Sequence, residues 1–172
     1  HNLLDNIEYF ANKKKIQFKG LKKVNEKDEE TYFNGKYKYI KNASKDPPFM
    51  DGLLDKSVLL FAGTKYHLAS YYYHAKFDYL FIDEASQISL ADIVSLGSIT
   101  KNIVLIGDQQ QLGQPTQGSR PGESGKSILD YLLEDNDTIA EDTGIFLNKT
   151  YRLHPKINNF ISPSLYEGRL LT

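Results

Sequence analysis

The sequence predicts an α/β fold, with a mostly parallel sheet and flanking helices. Phe77-Asp-Tyr-Leu-Phe-Ile-Asp-Glu-Ala-Ser86 and Asn102-Ile-Val-Leu-Ile-Gly-Asp-Gln-Gln-Gln-Leu112 each place a short apolar run before a turn that bears a carboxylate. Parallel strands covered on both faces read as such runs rather than as alternation. A helix-length segment separates the two. Strands and helices alternate along the rest of the chain, which is the pattern of a parallel sheet.

The elements follow in order. Leu3, Leu4, Ile7, Phe10 and Ala11 have helical spacing, so the chain opens in a helix. Ile16 to Leu21 reads as a short strand. Residues 25 to 52 show no sustained period and read as a loop or small insertion, with a hairpin at Asn34-Gly35. Ser57 to Ala62 is a buried strand with Thr64 at its carboxyl end, and Leu68 to Ala75 a short helix. The Tyr71-Tyr72-Tyr73 run reads as packing. Phe77 to Ile82 is a strand that ends at Asp83. Leu90, Ile93, Val94 and Gly97 describe a helix capped by Ser89. Ile103 to Ile106 is a strand, residues 113 to 126 a polar loop, Ile128 to Leu133 a helix, and Ile145 to Leu147 a strand. Pro155 opens a last helix with Ile157, Phe160, Ile161 and Leu165 on its apolar side.

Composition sets wide bounds. The 172 residues suffice for one ordinary domain or a slice of a larger one, and the net charge of -1 shows no global basic character. The absence of cysteine removes disulfides and thiolate metal sites, and fits a reducing, intracellular setting. No run approaches a membrane span. The start at His1 rather than Met suggests an excised segment. Charge is local: Lys13, Lys14, Lys15, Lys19, Lys22 and Lys23 precede Glu26, Asp28, Glu29 and Glu30. This stretch reads as a solvated face, with a phosphate-backbone contact surface as the alternative. His67, His74 and His154 are too scattered for a metal site.

Ligands of open α/β sheets sit beyond the carboxyl ends of the strands. Asp83, Glu84, Asp108 and Gln111 therefore should converge on one edge of one sheet. An Asp-Glu pair there has the parts to hold Mg²⁺ and activate a water, as nucleotide hydrolysis requires. The plainer reading makes Asp83 a helix cap and Glu84 a residue favouring the helix's positive end.

Asp83-Glu84-Ala85-Ser86, Gly107-Asp108-x-x-Gln111-Leu112 and Tyr151-Arg152-Leu153-His154-Pro155 together resemble the second, third and fourth motifs of superfamily 1 helicases. The similar branch contains the nonsense-mediated-decay helicase, senataxin and the replication helicase-nuclease. His1 to Ile7 resembles the end of motif Ia, Ala62-Gly63-Thr64 the region of motif Ic, and Ser164 to Leu170 the segment that usually follows motif IV. The resemblance implies a RecA-like P-loop NTPase fold, with residues 1–146 in the first lobe and 147–172 opening the second. It implies Mg-ATP as the energy source and single-stranded DNA or RNA as the partner. It also implies a place in the cytoplasm, or in the nucleus of a eukaryote. Asp83 would hold Mg²⁺ through water, and Glu84 would orient or deprotonate the attacking water. Gln111 would contact the γ-phosphate, Tyr151 would stack on the ATP base, and Arg152 would act as an arginine finger. Thr64 and His1 would lie toward the nucleic acid.

Departures accompany the likeness. Gly113-Gln114-Pro115 stands where the family usually has Pro-Pro, and residues 25 to 57 are too few for the subdomain some relatives insert there. The phosphate-binding loop is expected upstream of His1, and motifs V and VI beyond Thr172. Pro121-Gly-Glu-Ser-Gly-Lys126-Ser127 imitates a phosphate-binding loop, but Arg120 stands where the pattern needs Gly and no strand leads into it, so it reads as a linker. Two other readings remain: a non-catalytic nucleic-acid-binding or scaffolding protein that kept the fold, and a P-loop ATPase that is not a helicase.

Overall fold

Gly20–Lys23 (β1) is the middle strand of a parallel sheet ordered β2-β1-β3, with β2 at Ile40–Ala43 and β3 at Leu60–Ala62. The computed structural model describes residues 2–70, 73–113, 121–134 and 136–172. Helix α1 (Asn2–Lys13) forms where the spacing predicted. Its exit displaces the strand expected at Ile16. Lys15 is left-handed (φ 58°), Lys15 N–H returns to Asn12 O and Ile16 N–H to Ala11 O. This double closure satisfies the last carbonyls of the helix and leaves Ile16 outside the sheet.

The hairpin expected at Asn34-Gly35 does not form. β1 and β2 run parallel, which no tight turn can connect, so residues 24–39 make a crossover. Glu8 fixes its end. This α1 carboxylate is 1% exposed and accepts N–H bonds from Tyr37 and Ile40, both at 2.9 Å. Asn42 closes the crossover further by a reciprocal pair of bonds to the Phe33 backbone, at 3.0 and 2.8 Å.

Residues 47–54 are also not loop. Pro47–Leu54 is helix α2, with proline in its first positions, where a missing N–H costs nothing. Its Phe49 is buried against Phe61 and His67. Helix α3 is Lys65–Leu68, earlier and shorter than the expected 68–75. Tyr73 is buried and bonded through its hydroxyl to His67 Nε2 at 2.7 Å, so its reading as packing holds; Tyr71 and Tyr72 lie outside the described residues. Burial pushes the Tyr73 phenol up to about 12 and holds the His67 imidazole below its ordinary value.

Leu80–Ile82 (β4), Leu90–Leu96 (α4) and Ile103–Leu105 (β5) form the predicted strand-helix-strand unit. Leu80 N–H bonds Asn102 O at 2.9 Å and Ile106 N–H bonds Ile82 O at 2.8 Å. Both numbers rise together, so the pair is parallel. The five strands among the described residues thus divide between two ladders rather than sharing the single sheet expected. Ser89 caps α4 as predicted: its Oγ accepts Asp92 N–H at 3.3 Å and donates to Asp92 Oδ2 at 2.8 Å.

The chain divides into two compact units, His1–Leu80 with Ser95–Ile103 and Phe81–Val94 with Val104–Thr172. Val24, Phe33, Ile40, Phe49, Tyr73, Leu96 and Ile99 are buried in the first. Ile82, Ala85 and Ile128 are buried in the second, which also holds α5 (Ile128–Leu133) and α6 (Pro155–Leu165). The strand expected at Ile145–Leu147 is absent. Ile145 is 86% and Leu147 75% exposed, and no ladder among the described residues includes them. Pairing occurs slightly later instead, at a bridge between Lys149 and Leu171. No helix among the described residues is long and apolar enough to cross a membrane.

Candidate nucleotide site

The turns after β4 and β5 are held together by backbone. Ala85 N–H donates to Ile106 O at 2.9 Å, linking the Asp83-Glu84 turn to the strand end that precedes Asp108. At Gly107 the approach leaves no room for a side chain. A Cβ there would lie 2.8 Å from Ala85 N, 3.0 Å from Leu129 Cδ1 and 3.2 Å from Ser86 N. Two of those neighbours are backbone atoms and cannot swing aside. Gly107→Ala is therefore expected to force the two turns apart and to destabilise the chain by about 1–3 kcal/mol, the usual cost of overpacking. Denaturant titration checks this; unchanged stability would show that the close approach is not required.

Asp83 and Glu84 are both exposed. Asp83 Oδ1 accepts Glu84 N–H at 3.2 Å, so the turn closes on its own first carboxylate. Glu84 has φ 54° and ψ 47°, the left-handed region. A non-glycine residue there carries a backbone cost of order 1–3 kcal/mol. The carbonyl of Glu84 accepts Gln87 N–H at 2.9 Å, and a short 3₁₀ turn, Ala85–Gln87, follows. Asp83 therefore does not cap an α-helix: α4 begins later and has Ser89 as its cap.

Asp108 gathers three donors. Gln110 N–H reaches Oδ1 at 3.0 Å, while Gln111 Nε2 and the Tyr166 hydroxyl reach Oδ2 at 3.1 and 2.7 Å. Partial burial and the Asp108 carboxylate together push the Tyr166 phenol up to about 12. The chain spacing gave no sign of this contact, since the partners are 58 residues apart.

Tyr151 and Arg152 sit on a turn organised by Thr150, whose Oγ1 accepts Arg152 N–H at 3.2 Å and Leu153 N–H at 3.4 Å. Tyr151 is 88% exposed, with Lys149 Nζ 5.1 Å from its ring centre. Arg152 is exposed as well. The turn is anchored from behind by Thr150 N–H to Leu171 O at 2.8 Å and Leu171 N–H to Asn148 O at 2.7 Å. His154 caps α6 through Nδ1, and Pro155 follows at the first position, as predicted. Neither the Tyr151 nor the Arg152 side chain bonds to Asp83, Glu84 or Gln111 among the described residues. The structure thus brings the second and third motif turns together, while the fourth stands open to solvent.

Thr64 is exposed, and its carbonyl accepts N–H bonds from His67 and Leu68 at 3.1 Å. It belongs to the other compact unit. His1 lies outside the described residues. The imitation phosphate loop is a 3₁₀ turn, Gly122–Gly125, in which Lys126 stands 3.9 Å from Glu123. Ser127 Oγ accepts Asp130 N–H at 3.1 Å and so caps α5. A cavity of about 540 Å³ beside it is lined by Glu123, Lys126, Tyr131, Leu132 and Glu134, two carboxylates against one ammonium, which is poorly suited to an anion.

No family model and no solved structure matches the chain. Curated proteins do. The chain is similar to the DNA replication ATP-dependent helicase/nuclease of Schizosaccharomyces pombe, 37% identical over 97 residues, which is 56% of this chain and 7% of that protein. It is similar to the protein of the same description from Gallus gallus, 35% identical over 99 residues, 55% of this chain and 9% of the other. Helicase SEN1 of Saccharomyces cerevisiae is 35% identical over 98 residues, again 55% of this chain but 4% of its own length. The chain therefore resembles superfamily 1 helicases across about half its length, and spans under a tenth of each of these relatives.

Proposed function

We propose that this chain is part of the motor of an ATP-dependent superfamily 1 helicase, which couples Mg-ATP hydrolysis to movement along single-stranded DNA or RNA. The observation that best supports this reading is the backbone contact between the Asp83-Glu84 turn and the Gly107–Gln111 turn, at the carboxyl ends of adjacent parallel strands. On this reading residues 1–146 belong to the first RecA-like lobe and 147–172 open the second.

Phosphoryl transfer needs positioning and charge stabilisation more than covalent chemistry. Asp83 is exposed, and no group of three or more metal-ligating side chains exists among the described residues. That donor set suits an ion held by one carboxylate and otherwise by water and phosphate oxygens, which is the habit of Mg²⁺. Bound there, Mg²⁺ would neutralise phosphate charge. Glu84 orients the attacking water and accepts its proton. Gln111 donates its amide to the terminal phosphate and relays the state of that phosphate to the strand-binding surface. Tyr151 stacks on the base of ATP, and Arg152 meets the charge that develops on the transferring group. Thr64 and His1 face the nucleic acid, where phosphate contacts and base stacking provide the grip.

Two experiments test the assignment. Gln111→Ala in the full-length protein is expected to weaken stimulation of ATPase by single strands more than the basal rate. Steady-state phosphate release with and without single-stranded DNA or RNA measures the difference, and an equal loss of both would confine Gln111 to a local role. The 172-residue polypeptide by itself is expected to show no ATPase and to bind Mg-ATP in the millimolar range at best, a few kcal/mol. Among the described residues, no strand leads into a Gly-rich turn that would cradle phosphates with N–H donors. Calorimetric titration with Mg-ATP checks this, and micromolar binding would mean that the Gly122–Ser127 turn holds phosphate after all.

A further inference from the structure

Gln111 does not stand alone on its turn. Its Nε2 donates to Asp108 Oδ2 at 3.1 Å, and the same oxygen accepts the Tyr166 hydroxyl at 2.7 Å. A carboxamide nitrogen carries two N–H groups. The bond to Asp108 uses one of them and fixes which way the amide faces, so that the second N–H and Oε1 have defined directions. The orientation of Gln111 is therefore set by Asp108, and that of Asp108 by Tyr166.

Tyr166 is itself held. It is the residue on which α6 ends, with its N–H on Ser162 O at 2.9 Å. Gly168, at φ 75°, returns its N–H to Ser162 O at 2.9 Å, a turn that glycine adopts without strain. Arg169 N–H then bonds Tyr166 O at 2.8 Å. Beyond this turn the Arg169 guanidinium donates to Thr138 Oγ1 at 2.6 Å and Ile139 O at 2.8 Å, and Thr138 Oγ1 donates to Glu167 at 2.6 Å. The strap of residues 137–139 returns to the Gln111 turn, because Gln110 Nε2 donates to Asp137 Oδ1 at 3.0 Å and Gln109 Nε2 to Asp137 O. A closed polar circuit thus runs from the Gln111 turn through 137–139 to 166–169 and back through Asp108. Thr138, at 5% exposure, is buried within it.

We propose that Tyr166 is a positioning residue for Gln111: through the shared oxygen of Asp108 it sets the amide that senses the terminal phosphate, and so links the end of α6 to nucleotide sensing. This rests on the role proposed for Gln111 above. The phenol is well suited to the task. A hydroxyl–carboxylate bond is charge-assisted and short, so it holds Asp108 more firmly than a bond between two uncharged groups would. A segment that moves α6 would pull on the same oxygen that orients Gln111.

The test uses the full-length protein and compares Tyr166→Phe, Gln111→Ala and the double variant. Strand-stimulated ATPase and thermal unfolding are measured for each. Tyr166→Phe is expected to lower the stimulated kcat by about 5-fold or more, the lower range of coupling between sites, and to do so only when Gln111 is present. In the Gln111→Ala background the same substitution should leave kcat unchanged while shifting the unfolding temperature as it does in the wild type. A loss of equal size in both backgrounds would make Tyr166 merely structural and overturn the proposal. So would a normal stimulated rate for Tyr166→Phe where Gln111→Ala is impaired. If Gln111→Ala itself leaves stimulation intact, the sensing role of Gln111 fails first, and that outcome is distinct. Should Tyr166→Phe not fold, Asp108→Asn removes the charged acceptor that both donors share and must show the same dependence on Gln111.

Discussion

Glu84→Gln in the full-length protein is expected to lower ATP turnover by roughly 10²- to 10⁴-fold while ATP binding stays near its starting level, the range for loss of a general base. The substitution is clean because of the backbone it sits on. Glu84 is held at φ 54°, and glutamine has the same Cβ and Cγ, so the conformational cost of that position is common to both side chains. What changes is the charge and basicity of one exposed carboxylate. Asp83 Oδ1 keeps its bond to the N–H of residue 84 in either case. Phosphate-release kinetics beside equilibrium binding of a non-hydrolysable nucleotide separate the two quantities. Near-normal hydrolysis would remove Glu84 from the chemistry and favour a scaffold that kept the fold without the activity.

Arg152→Ala is expected to cost on the order of 10³-fold or more in kcat, with little change in nucleotide affinity, as for arginine fingers in phosphoryl transfer. Arg152 sits on a turn whose backbone is fixed by Thr150 and by the pairing of residues 148–150 with Leu171, none of which uses its guanidinium. Removing the side chain therefore leaves the turn intact. Its exposed side chain makes no bond to Asp83, Glu84 or Gln111, so any contribution must come when nucleotide is bound. Full kinetic curves for wild type and variant give the answer. A change confined to KM would make Arg152 a ground-state binding residue, and the finger role would fall.

Much of the candidate site was legible as sequence because its signals are local. The apolar runs before Asp83 and Asp108 identified β4 and β5, Ser89 marked the start of α4, and Pro155 with Ile157 and Phe160 marked α6. Each signal lies within a few residues of the structure it specifies. Local reading also misled where local chemistry has two uses. Pro47-Pro48 punctuates loops and also opens helices, and here it opens α2. Asn34-Gly35 suits a tight turn, but the strands around it are parallel and need a crossover. Ile145 to Leu147 has the composition of a strand, but no strand among the described residues pairs with it.

The sequence by itself determined which residues form the three motif turns, in what order, and where the helices beside them start. The tertiary structure decided what holds those turns. Glu8 became a buried carboxylate because the N–H groups of Tyr37 and Ile40, 29 and 32 residues away, need an acceptor where no strand supplies one. Gly107 became obligatory because the backbone of Ala85 crosses it at less than the width of a methyl contact. Asp108 acquired Tyr166 as a partner across 58 residues. Caps and periodicities are encoded within one or two turns of chain. Burial, close approach and shared acceptors depend on segments brought together only by folding, and nothing at either partner's position in the sequence names the other.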